Sequence, residues 1–134
     1  MTSPSPESDI AREKPYQITF KPRPGYLYVH IWSDTISYRI ARQYWDEIIE
    51  MLERTGSKRL LVDKDIKAEL SSADAFQMAS EVAKLEFQHV TLALCDRHAT
   101  QKTIEFGEMV ATNRGLHTKS FRDPDEAERW LLAQ

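Results

Sequence analysis

A single cysteine, Cys95, stands in the 134 residues, so no disulfide can form within the chain, and a reducing, cytoplasmic setting is expected. The amino terminus lacks a basic start followed by an apolar run. No apolar stretch approaches the roughly 20 residues a membrane helix needs, so neither export nor membrane insertion is expected. Excess charge is also scarce: Lys and Arg number 18 against 21 Asp and Glu, a net charge of −3. That balance offers no general attraction to phosphate backbones or anionic lipid, so nucleic acid is not an expected partner. No internal repeat occurs, and the histidines lack the HxxxH-type spacing that would point to zinc. What is present is the make-up of a globular domain, 41% hydrophobic and 29% charged, in a length with room for one hydrophobic core and too little for two.

Residues 1–14 carry Ser3, Pro4, Ser5 and Pro6 and then mixed charges, with only Ile10 and Ala11 to bury. This predicts a flexible amino-terminal tail ahead of a domain over residues 15–134. Alternation from Tyr16 to Phe20, punctuation from Pro22 to Gly25, and a second run from Tyr26 to Trp32 predict a hairpin that opens the sheet. In the second run Leu27, Val29 and Ile31 share one face, and Tyr26, Tyr28, His30 and Trp32 the other. Ile40, Ala41, Tyr44, Trp45, Ile48, Ile49 and Leu52 recur at three- and four-residue steps. They predict a helix from about Thr35 or Ile36 to Arg54, capped by Asp34 or Thr35 and closed at Gly56.

Leu60, Leu61 and Val62 form the continuous apolar run of a strand covered on both sides, the expected centre of the sheet. An acidic connection then leads to Ser71, which with Asp74 resembles a capping box; Phe76, Ala79, Val82 and Ala83 are the expected buried stripe of the helix it opens. Val90, Leu92 and Leu94 alternate with Thr91, Ala93 and Cys95 in a further strand. Thr100 or Thr103 opens a helix that Gly115 closes, and Leu116 to Phe121 makes the last strand. Asp123, Pro124, Asp125 and Glu126 start a terminal helix docked by Ala127, Trp130 and Leu131. The order β-β-α-β-α-β-α-β-α implies right-handed crossovers in a single α/β domain, with a mixed, largely parallel sheet of four to five strands and about four helices.

Groups with chemistry gather near the carboxyl ends of the predicted strands, where α/β domains place working residues. Asp34, Asp63 with Asp65, and Asp96 could surround a divalent cation there, although short acids equally cap helices and solvate loops. Cys95 and His98 put a thiol near an imidazole. Adjacency in sequence does not supply the hydrogen-bond reach that activates a nucleophile, and a free cysteine is more often a buried strand residue. Neither pattern is a catalytic signature, no metal or cofactor is implied, and a non-enzymatic protein is expected. Tyr44 and Trp45 fall at helical spacing from Ile40 and Ile48 and fit core packing first. An apolar pocket or homodimer patch is the alternative use of the aromatic first third.

Four stretches resemble the SpoIIAA-like branch of the STAS superfamily, whose best-known members are anti-sigma-factor antagonists. They are KRLLVD at Lys58 to Asp63, ELSSADAF at Glu69 to Phe76, FGEMVATNRG at Phe106 to Gly115, and FRDPDEAERWL at Phe121 to Leu131. The resemblance implies a compact sheet partly covered by helices and a regulatory role exercised on a protein partner. In the antagonists a serine at the start of the helix after the central strand is phosphorylated, usually within Asp-Ser-Ser/Thr-Gly. Leu70, Ser71, Ser72 and Ala73 stand in that place here, with the serines matching and the flanking Asp and Gly absent. Ser71 and Ser72 are therefore the candidate phosphoacceptors, and Asp63, Asp65, Glu69, Ser71, Ser72 and Asp74 the candidate partner-binding surface. Ser71 is equally a residue that caps helices in any protein. The superfamily's fold is sometimes grouped with CRAL-TRIO lipid-binding domains, which makes a small lipophilic ligand an alternative. More broadly, the alternative is a binding domain for a small lipophilic or nucleotide ligand, using a pocket at the carboxyl ends of the strands.

Overall fold

The computed structural model describes residues 14–134, so the expected tail lies, Lys14 apart, outside the described residues. Five strands lie side by side in chain order: β1 (Gln17–Arg23), β2 (Tyr26–Ser33), β3 (Arg59–Ile66), β4 (Thr91–Asp96) and β5 (His117–Phe121). β1 is antiparallel to β2, and every later neighbour is parallel. The helices are α1 (Tyr38–Thr55), α2 (Ser72–Val82), α3 (Gln101–Asn113) and α4 (Pro124–Leu132), with a short 3-10 helix over Ala83–Gln88 after α2. Element order and fold class agree with the sequence expectation. No helix among the described residues is long and apolar enough to cross a membrane.

Right-handed crossovers between adjacent strands carry each connecting helix to the same side of the sheet. Accordingly α1, α2 and α3 share one face, built on Leu27, Val29, Ile31, Leu60, Val62 and Leu92. α4 follows the last strand and folds back on the other face, where Ala127 and Leu131 meet Tyr26, Leu61, Ala93 and Cys95. One nine-residue helix cannot cover that face, and toward β1 it is left open, with Trp32 40% exposed.

Local details depart from the sequence expectation for identifiable reasons. β1 continues through Pro22 and Arg23, because an edge strand tolerates a residue with no N–H to donate; the turn falls at Gly25, with φ 87°. α1 begins at Tyr38 and is capped by Ser37, whose Oγ accepts the Ile40 N–H at 3.1 Å, not by Asp34 or Thr35. Buried Ser33 bonds the Pro15 carbonyl at 2.8 Å and accepts the Thr35 N–H at 3.2 Å, so the chain is still turning there. The expected closure at Gly56 is present, left-handed at φ 67°. In α2 the inward stripe is Ala75, Met78, Ala79 and Val82; Ala79, Val82 and buried Ala83 are as expected, and Phe76 is not part of it. Phe76 is 45% exposed, lying against Phe106 and under the Arg114 guanidinium.

Candidate functional site

β3 does not stop at its apolar run. Asp63, Lys64 and Asp65, expected to form a connection, are in the strand because each finds a partner at the end of β4. Arg97 Nε and Nη2 donate to the two Asp63 oxygens at 2.9 and 2.7 Å, and the Tyr28 hydroxyl donates to Oδ2 at 2.7 Å. Lys64 Nζ reaches Asp96 at 3.4 Å, and His98 Nε2 meets Asp65 at 2.6 Å. Side chains alternate along a strand, so Asp63 and Asp65 point to the face of α4 and Lys64 to the face of the other helices. Asp63 is fully buried. Burial alone would raise its pKa; the Arg97 guanidinium and the Tyr28 hydroxyl outweigh it and hold the carboxyl below its ordinary value.

This alternation disposes of the cation and thiol arrangements. Asp96 lies with Lys64 on the helix-covered face while Asp63 lies on the other, and no group of three metal-ligating side chains gathers among the described residues. Burial, with Asp63 nearby, pushes the Cys95 thiol up to about 12, the opposite of activation. His98 turns to Asp65 and not to Cys95.

Of the six residues expected to share a surface, four lie together. Ser71 and Ser72 are exposed at the start of α2, Asp74 follows in its first turn, and Glu69 accepts the Thr103 hydroxyl at 3.3 Å. Asp63 is a correction: its carboxylate is spent inside the protein and offers no exposed atom. Asp65 belongs to the opposite sheet face, held by His98. Ser71 does cap α2, its Oγ accepting the Asp74 N–H at 3.2 Å. Ser71→Ala is expected to cost about 1 kcal/mol in urea unfolding, and Ser71→Asp almost nothing, since aspartate caps as well. Equal losses in the two variants would remove the capping role.

Beside this helix start, between α1, α2, α3 and the sheet, lies a cavity of about 120 Å3 toward the carboxyl ends of β3, β4 and β5, where the alternative small-ligand reading expects a pocket. Leu70, Ala75, Met78, Leu94, Ile104 and Phe106 form much of its wall, and Lys64, Asp96 and Tyr44 its polar end. Burial alone would lower the Lys64 pKa; the Tyr44 hydroxyl and the Asp96 carboxylate reverse this and keep the ammonium charged. A smaller hollow of about 80 Å3 shares Lys64, Asp96 and Leu70 with it and extends to Glu69. Leu70, the residue before the cap, therefore lines both spaces.

No protein-family model matches the chain, and no curated protein matches it in sequence. Among solved structures it is similar to an uncharacterized protein of the DUF3478 family with a SpoIIAA-like fold, from Shewanella loihica PV-4. The identity is 15%, the match covers 87% of this chain and 93% of that one, and the TM-score is 0.55. The fold is thus SpoIIAA-like. A likeness at that identity reaches the fold and goes no further.

Proposed function

We propose that the chain is a non-enzymatic, STAS-like regulatory domain that binds a protein partner through residues 67–71 and the first turn of α2, under control of phosphorylation at Ser71 or Ser72. The observation that supports it is two exposed serines at the amino end of the helix that follows the central strand, beside Glu69 and Asp74. A phosphate there would add roughly 1.5 to 2 negative charges to an already acidic rim, enough to repel a docked partner. The test takes a partner captured and cross-linked by the wild-type chain and asks whether Ser72→Glu still binds it. Binding is expected to fall at least about tenfold, the equivalent of 1.4 kcal/mol, with circular dichroism unchanged. Equal binding by the variant removes this surface.

The cavity favours a second reading, a binding domain for a small ligand. Its volume and mostly apolar wall suit a compact apolar body better than a nucleotide.

A further inference from the structure

We infer that the cavity under α2 and α3 takes a ring-sized neutral alcohol of the phenol class, with its hydroxyl between Lys64 and Asp96. This rests on the second reading above and adds the chemistry of the occupant. The space of about 120 Å3 is close to the engineered lysozyme cavity of about 150 Å3 that binds benzene, so it holds one ring and a small substituent. The wall from Leu70, Ala75, Met78, Leu94, Ile104 and Phe106 would surround the ring.

The polar end selects the substituent. Lys64 Nζ carries three donors; the Tyr44 hydroxyl lies beside it, and its carboxylate partner, Asp96, is at the long distance of 3.4 Å. A bound carboxylate would face Asp96, with Glu108 also on the lining; a bound ammonium would face Lys64. A pure hydrocarbon would strip water from the ion pair and return no hydrogen bond. A neutral hydroxyl accepts from Lys64 and donates to Asp96, satisfying both without adding charge.

Methionine methyl NMR on the whole chain tests this, because Met78 lines the cavity while Met109 is exposed outside it and serves as the control. Titration with phenol is expected to shift Met78 saturably and leave Met109 in place. Its affinity is expected to exceed those of benzene and benzoate by about tenfold, the worth of one hydrogen bond to a charged group. Lys64→Met is expected to erase the preference for phenol over benzene. Asp96→Asn reads the pair from the other side and serves if the first variant does not fold: benzoate gains on phenol. Benzene or benzoate binding as tightly as phenol, or either variant leaving the order unchanged, overturns the hydroxyl assignment while the ligand site stands. If none of the three probes moves Met78, the ligand reading falls as well.

Discussion

Replacing Arg97 by methionine is expected to cost about 3–5 kcal/mol, because it strips the cation from a carboxylate that no water reaches. Asp63 would keep only the Tyr28 hydroxyl at 2.7 Å. The double variant Asp63→Leu with Arg97→Met should recover most of the loss, since a well-packed apolar pair avoids desolvating two charges. Urea midpoints of the three proteins decide the matter; a double variant as weak as the single one would place the cost elsewhere. The pH dependence is a second readout. The native Asp63 carboxyl titrates below its ordinary value, so the unfolded chain binds its proton more readily. The stability this confers is complete above the unfolded pKa of about 4 and is lost as pH falls through the lower native value. In the Arg97→Met protein burial dominates and raises that pKa, so the gap from wild type should narrow on acidification from neutral pH to below 4. A gap that does not change with pH would mean that Asp63 is not the group responsible.

Leu131→Ala is expected to cost about 2–5 kcal/mol, the range for a leucine deleted from a packed interior. α4 has nine residues and buries only Ala127 and Leu131, and a helix that short does not persist without its packing. Its loosening would bare Tyr26, Leu61 and Ala93 on the sheet and part Trp130 from His117 and Phe121, whose rings lie 5.4 and 5.9 Å away. Hydrogen exchange should show α4 amides losing protection ahead of those in β3. Leu132→Ala, at a side chain 46% exposed, is the control and should stay within about 0.5 kcal/mol. Equal effects at the two positions would mean that Leu131 is not the anchor of α4.

Element order and fold class were legible because burial in a two-faced sheet writes itself as alternation and as continuous apolar runs. Leu60, Leu61 and Val62 show the double covering of β3, and the stripe from Ala41 to Leu52 shows the single apolar side of α1. Capping was legible where the signal was local: Thr100 and Asp123 accept the N–H groups of Thr103 and Asp125. It misled where a distant bond intervened, as Ser33 does by tying the chain to Pro15. The charged end of β3 was illegible for the same reason. Asp63, Lys64 and Asp65 read as a loop until Asp96, Arg97 and His98, some 30 residues away, supply their partners. The exposed serine pair and a pocket at the carboxyl ends of the strands were readable from the pattern; the size and lining of the cavity were not, since it is a volume left by the packing of three helices and not a property of any one of them.

Apolar side chains alone cannot align β3 with β4. Their pattern repeats every two residues, so sliding one strand by two would keep Leu60, Val62, Leu92 and Leu94 on one face and Leu61 and Ala93 on the other. The charges break that degeneracy. In the observed register Lys64 stands opposite Asp96 and Asp63 opposite Cys95, within reach of Arg97. A slip of two leaves Lys64 facing Leu94 or His98 and pulls Asp63 away from its guanidinium, stranding a carboxylate in the interior. The two ion pairs, Asp63 with Arg97 and Lys64 with Asp96, and the contact of His98 with Asp65 therefore favour the observed register over a slip that apolar burial alone would tolerate.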